Sequence, residues 1–204
     1  MGVWTSVTWN EWLERSKAIA YALHEIGFRP GDVASILSNT NPEWIYADMG
    51  ALCAGGVTSG IYPTDSPAQC EYLINDSGTK VVFVEDDEQL DKILQIRERC
   101  PKLERVVIFD MEGLTTFKDP MCVSLDAFVA AGRAYQKGRE GLFQEMLDSR
   151  SIDDLAILVY TSGTTGPPKG AMHANKSVIT QMRHSQDLYH AQPGDERLRV
   201  IEIL

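Results

Sequence analysis

The part of this chain best equipped for chemistry is the run Thr161-Ser162-Gly163-Thr164-Thr165-Gly166-Pro167-Pro168-Lys169-Gly170. The hydroxyls of Thr161, Ser162, Thr164 and Thr165 can each donate to an oxyanion. Gly163 and Gly166 permit a tight backbone whose successive amides form an anion-binding nest. Lys169 adds a positive charge. The apolar run Leu155 to Tyr160 leads straight into the loop and reads as a strand of the buried type. Hydroxyls, amides and one ammonium within so short a span suit a polyphosphate. An ordinary Ser/Thr/Gly/Pro loop shares the composition but not this order of hydroxyls closed by Lys-Gly.

A P-loop of the Walker type is the nearest rival and fails on spacing. That motif needs Gly-Lys followed at once by Ser or Thr and a helix. Here Pro167 and Pro168 separate Gly166 from Lys169, and Gly170 follows the lysine. No hydroxyl stands where Mg²⁺ would be bound in the Walker manner.

The rest of the composition narrows the field by exclusion. A net charge of −10 argues against nucleic acid as a partner, since phosphate backbones need a basic face. An apolar content of 44% with 24% charged residues is that of a globular protein, and no apolar run is long enough to span a bilayer. Glu11, Glu14, Arg15 and Lys17 interrupt any signal-peptide core. Cys53, Cys70, Cys100 and Cys122 form no CxxC pair and have no histidine at a zinc-like spacing, so reduced thiols are expected, with Cys53 packing as a small hydrophobe. Met1 to Ser6 fits the short N-myristoylation pattern, which is loose enough to fit a tail entering a helix equally well.

The elements that must position the loop follow from caps and periodicity. Thr8-Trp9-Asn10-Glu11 is a capping box, and Trp9, Trp12, Leu13, Ile19, Ala20, Leu23 and Ile26 then recur at helical spacing up to Gly27. His24, near the end of that helix, reads as a solvated or dipole-capping residue. Val33 to Leu37 is of strand length, and Asn39-Thr40-Asn41-Pro42 opens a largely buried helix over Glu43 to Ala54. Val57 to Tyr62 reads as a strand, and Ser66-Pro67 starts a helix that runs to Asp76 and closes at Ser77-Gly78. Lys80 to Val84 is a strand, Asp87 to Arg99 a helix stopped by Pro101, and Arg105 to Phe109 a strand. Asp110 to Pro120 reads as irregular, and Ser124 to Asp148 as one or two amphipathic helices. Strands alternating with helices predict an α/β fold of βαβ units, with a parallel sheet covered by helices on both faces.

The run Tyr160 to Gly170 resembles the signature loop of the adenylate-forming superfamily, which includes acyl-CoA synthetases, luciferases and peptide-synthetase adenylation domains. The resemblance extends over nearly the whole chain. Gly31-Asp32-Val33-Ala34 matches the usual Gly-Asp turn, Asn41-Pro42-Glu43-Trp44 recurs in long-chain fatty-acid–CoA ligases, and Ile61-Tyr62-Pro63-Thr64 looks like their bacterial branch. The resemblance implies a two-step reaction. A fatty-acid carboxylate attacks the α-phosphate of Mg²⁺-bound ATP to give acyl-adenylate and pyrophosphate, and CoA then displaces AMP. Carried over by position, Thr161, Ser162, Gly163, Thr164, Thr165, Gly166 and Lys169 would hold the β- and γ-phosphates. The resemblance names fatty acid, ATP and CoA as partners, while the interrupted signal core and the reduced cysteines predict a cytoplasmic setting. It leaves peripheral membrane contact, oligomeric state and any metal ligand open. One departure stands out: where the family places a Ser/Thr-His pair, this chain has Ala174-Asn175, preceded by His173.

Family members are much longer, so residues 1–204 are expected to be a partial AMP-binding N-terminal domain, truncated at its C-terminal end, with no second complete domain. The aromatic-Gly-x-Thr-Glu segment, the ribose-binding aspartate and the adenylating lysine of the family have no counterpart here, so no catalytic residue is assigned. The fragment alone is expected to be inactive and poorly stable, with Val200 to Leu204 an exposed apolar end. A non-catalytic nucleotide-binding or interaction module is the alternative.

Overall fold

The computed structural model describes residues 6–161 and 166–189, the last five by backbone alone. The myristoylation-like start, most of the phosphate-type loop and Val200 to Leu204 lie outside the described residues. The elements run α1 (Trp9–Glu25), β1 (Val33–Leu37), α2 (Pro42–Cys53), β2 (Val57–Ile61), α3 (Pro67–Ser77), β3 (Thr79–Val84), α4 (Asp87–Ile96), β4 (Arg105–Ile108), β5 (Cys122–Ser124), α5 (Leu125–Gln136), α6 (Leu142–Asp148), β6 (Leu155–Thr161), β7 (Lys169–Ala174) and α7 (Asn175–Tyr189). The local signals act as anticipated. Thr8 and Glu11 close a capping box, Asn41 accepts from the Trp44 amide, and Ser66 and Gln69 form a second capping box with Pro67 in the first turn.

The strands form a sheet of order β5-β4-β3-β1-β2-β6-β7, parallel throughout except for β6 against β7. All five residues of β1 are buried. Alternate residues serve opposite faces. Ala34, Ile36, Val81, Phe83 and Val107 pack with α1, α2, α5 and α6, whereas Leu37, Val82, Val84, Val106 and Ile108 pack with α3 and α4. This is the doubly covered α/β sheet that the alternating elements demand.

Helix α1 sits tightly between α2 and α5 because glycines let the backbones meet. A Cβ on Gly132 of α5 would lie 1.8 Å from the Ala18 carbonyl oxygen, and one on Gly50 of α2 would lie 2.5 Å from Ile19 Cγ2. These crossings explain a departure from the sequence reading. Trp9 and Leu13 share the apolar stripe of α1 yet are 70% and 51% exposed, because burial begins at Ser16, where the neighbouring helices cross. His24 also differs. It is half-buried with Nδ1 3.3 Å from the Tyr135 hydroxyl, and burial together with Arg29 and Arg139 holds its pKa below the ordinary histidine value. The cation at the end of α1 is Arg29, whose guanidinium donates to the His24 and Phe28 carbonyls.

Three further features depart from expectation. The helix expected to reach Arg99 ends at Ile96 and tightens into a 3₁₀ turn over Arg97–Arg99. Asp110 to Pro120 is irregular but returns as the edge strand β5, three residues too short to give a periodic signal. Strand β6 is not fully buried. Ala156 is enclosed, but Val159 is 43% exposed, because the helical layers centre on β1, β3 and β4. Met172, Val178, Ile179 and Met182 are also exposed, giving the β6–β7–α7 corner an apolar surface.

Two stability predictions follow from this packing. Gly132→Ala gains about 1 kcal/mol of helix propensity but forces a methyl group into the Ala18 backbone, so a net loss of about 2 kcal/mol is expected. Urea unfolding followed by circular dichroism measures it, and an unchanged midpoint would contradict the α1–α5 contact. Asp48 of α2 has one oxygen buried without a partner among the described residues, and burial raises its pKa, an effect that Thr58 partly offsets. A raised folded pKa means that the stability present with Asp48 protonated is lost as pH rises through that pKa. Asp48→Asn removes this loss, so the variant should gain stability over the parent as pH rises above the ordinary Asp value of about 4. Parallel unfolding curves of the two proteins above that value would refute it.

Candidate functional site

Parallel pairing of β6 with β2, through Thr58↔Ile157 and Ser59↔Leu158, points the C-terminal end of β6 toward the same sheet edge as the ends of β1 to β4. In open α/β sheets that edge is where ligands bind. Polar side chains organise it. Glu85, just after β3, accepts from the Asn39 amide at 2.7 Å and from Asn39 Nδ2 at 2.9 Å. Asn41 Nδ2 donates to Ser38 Oγ at 3.0 Å. Lys92 of α4 donates to the Pro63 carbonyl and so fixes the Tyr62-Pro63-Thr64 turn, leaving Tyr62 71% exposed.

The phosphate-type loop is the connection of a β-hairpin. Strands β6 and β7 are antiparallel, with Thr161 opposite Lys169 as the last pair before the loop and Tyr160 opposite Gly170 as the pair below. Directly opposed residues of an antiparallel pair share a face, so Thr161 and Lys169 stand side by side at the loop mouth. Both are exposed. Gly166 has φ +88°, a left-handed conformation that favours glycine, and Pro167-Pro168 then carries the chain back to Lys169. Ser162, Gly163, Thr164 and Thr165 lie outside the described residues. Of the seven residues carried over from the family motif, the structure therefore places Thr161, Gly166 and Lys169, and brings Thr161 and Lys169 together.

A strand residue at His173 fits the sequence pattern, but the return of that strand antiparallel to β6 has no local signal. The sequence reading missed the helix that holds the hairpin. Tyr160 Oη donates to Asp76 Oδ2 at 2.7 Å, and Tyr72 Oη donates to the Pro168 carbonyl at 2.9 Å, both partners being on α3. Burial and the adjacent Asp76 carboxylate raise the Tyr160 pKa well above the ordinary phenol value, so its hydroxyl keeps its proton and remains a donor. Spacing of Tyr72 and Asp76 by four places them on one helix face, a signal visible in the sequence, although what that face would meet is not.

His173 lies in β7 opposite Ile157 and is exposed, with the character of a strand residue. Asn175 opens α7, but its side-chain amide donates to the Ser151 carbonyl at 2.9 Å. The Asn175 and Lys176 backbone amides bond to the Asp154 and Ile152 carbonyls. This position therefore ties the helix to the turn before β6. The cysteines are all free thiols. Burial raises all four, pushing Cys53, Cys70 and Cys122 up to about 11, and Cys53 packs at the margin of the α1 cluster. Thiols so protonated are poor nucleophiles and poor metal ligands.

Comparison with known proteins places these features in a family. The long-chain-fatty-acid–CoA ligase ACSBG1 of Rattus norvegicus is 28% identical over 198 residues, which is 97% of this chain and 27% of the ligase. The long-chain-fatty-acid–CoA ligase ACSBG2 of Homo sapiens is 31% identical over 175 residues, 86% of this chain and 26% of the ligase. The chain thus spans about a quarter of the length of the curated relatives it matches. Among solved structures, the anthranilate CoA ligase AuaEII in complex with anthranoyl-AMP shares the fold at a TM-score of 0.70 and 23% identity, over 88% of this chain and 32% of that one. An acyl-CoA synthetase of Brucella canis does so at a TM-score of 0.70 and 21% identity, over 89% of this chain and 30% of that one. The AMP-binding enzyme family model matches residues 1–204, and with that match spanning the hairpin, its loop and the sheet that carries them, the chain belongs to the AMP-binding enzyme family.

Proposed function

We propose that this chain is the phosphate-holding part of a long-chain fatty-acid–CoA ligase that activates its substrate as an acyl-adenylate. The observation that carries the reading is the pairing of Thr161 with Lys169 at the mouth of the hydroxyl-rich loop, in a chain whose curated relatives are long-chain-fatty-acid–CoA ligases. In the first step a fatty-acid carboxylate oxygen attacks the α-phosphorus of ATP and the bond to the β-phosphate oxygen breaks. Negative charge grows on the departing pyrophosphate. The Lys169 ammonium and the Thr161 hydroxyl, with Ser162, Thr164, Thr165 and the amides around Gly163 and Gly166, hold the β- and γ-phosphates. Their role is to orient the leaving group and offset its charge. In the second step the CoA thiolate displaces AMP from the acyl-adenylate.

The reaction calls for Mg²⁺ with the nucleotide. Among the described residues, no three His, Cys, Asp or Glu side chains converge where an ion could sit. Mg²⁺ takes only one or two ligands from a protein and the rest from phosphate oxygens and water, so it would enter with ATP. A cytoplasmic setting is proposed on the cysteine pattern of the sequence. Among the described residues, no helix is long and apolar enough to cross a membrane.

Lys169→Ala in the intact ligase should lower the efficiency of ATP–pyrophosphate exchange by one to two orders of magnitude, since a charge-assisted contact contributes about 1.5–3 kcal/mol. Exchange at the parental rate would remove Lys169 from the phosphate site. The acyl specificity is tested separately. A panel of carboxylic acids given to the same enzyme with ATP and CoA should show palmitate preferred over acetate and over amino acids. Preference for either of the latter would assign the chain to another branch of the family.

A further inference from the structure

Both ends of the phosphate loop are tied to one helix, by side chains outside the loop motif. The Tyr72–Pro168 bond holds the peptide that leads into Lys169, and the Asp76–Tyr160 bond holds the residue that precedes Thr161. Tyr72 and Asp76 stand one turn apart on α3, whose opposite side is anchored in the core by the buried Cys70, Leu73 and Ile74. The Tyr160 ring also lies over Gly170, where an added Cβ would approach it to 3.2 Å, so the strands are closely stacked beneath the loop mouth.

A two-stranded ribbon attached to its sheet by only two parallel pairs is torsionally soft. The β-ladder keeps Thr161 opposite Lys169, but by itself it does not fix their twist relative to one another. Two hydroxyl bonds to a single rigid helix, one from each strand end, supply that constraint. We infer that Tyr72 and Asp76 are positioning residues: through Pro168 and Tyr160 they set the relative orientation of Lys169 and Thr161, and so favour two linked phosphates over one. This rests on the phosphate reading of the loop proposed above. Neither side chain needs to touch the nucleotide, and each acts through its neighbour on the hairpin.

The test is calorimetric titration of the 204-residue chain with sodium pyrophosphate and, separately, with orthophosphate, together with thermal unfolding. The double variant Tyr72→Phe/Tyr160→Phe retains both rings and removes both donors. It should bind pyrophosphate about tenfold more weakly, because the unpinned hairpin must then be ordered on binding, and should lose its preference over orthophosphate. Asp76→Ala should show part of this loss, and Asp76→Asn, which keeps an oxygen to accept from Tyr160, should recover most of it. Should the double variant fail to fold, Tyr72→Phe alone and the two Asp76 variants decide the matter. Variants that bind pyrophosphate with parental affinity and preference, while Lys169→Ala does not bind it, overturn the positioning role and leave the phosphate reading intact. An equal loss for both anions that tracks a lowered unfolding temperature also overturns it, because it marks a merely structural role. A parent chain that binds no pyrophosphate, or a Lys169→Ala variant that binds as well as the parent, removes the phosphate reading and this inference with it.

Discussion

Parallel pairing at the centre of the sheet is the constraint on which the rest of the molecule depends. Strand β1 has β2 and β3 as parallel neighbours, so each connection must run back along a face of the sheet, and helices supply those returns. Once helices lie on both faces, β1 is sealed, which is why Val33 to Leu37 are all buried. The one polar side chain at its middle, Ser35, meets Thr79 Oγ1 at 2.5 Å on the neighbouring strand, and Thr79 in turn meets Ser77 at 2.7 Å. Buried hydroxyls are tolerated there because they satisfy one another across the ladder.

The same constraint gathers the polar turns. With β1 to β6 parallel, the residues after each strand emerge at one edge, and those after β1, β2 and β3 are knitted together by Glu85, Asn39 and Lys92. At the other edge, Lys80 spans from the Gly27 carbonyl at 2.9 Å to Asp32 at 3.0 Å, tying the end of α1 to the start of β1 and β3. The Gly31-Asp32 turn that carried part of the family resemblance thus has a structural task. Asp32 accepts from both Lys80 and the Arg29 amide, locking the entry into the central strand.

The antiparallel step from β6 to β7 breaks this regularity. A parallel continuation would have sent the chain after the loop across a face, whereas the hairpin returns it directly and sets Lys169 beside Thr161. The hydroxyl-rich strand end and the cation thereby become one mouth. Cover over this corner is thin. The exposed Val159, Met172 and Met182 contrast with the sealed strands β1, β3 and β4. The hydroxyl-rich loop therefore springs from the part of the sheet least enclosed by the helical layers, held from one side by α3.

What the sequence determined by itself is local. Thr8 with Glu11, Asn41 with Trp44 and Ser66 with Gln69 are pairs three residues apart, so their hydrogen bonds depend on nothing beyond the helix they start. The alternation of strands and helices, the α/β class and the order of hydroxyls ending in Lys169 were legible for the same reason. The tertiary structure alone decided which local features would meet. Tyr160 reaches Asp76 across 84 residues and Tyr72 reaches Pro168 across 96, contacts that exist only once the core has closed those long loops. It also decided that the apolar stripe of α1 would be buried from Ser16 onward and not at Trp9. The stripe is a property of the helix, but its cover comes from α2 and α5, whose Gly50 and Gly132 permit contact only at that crossing.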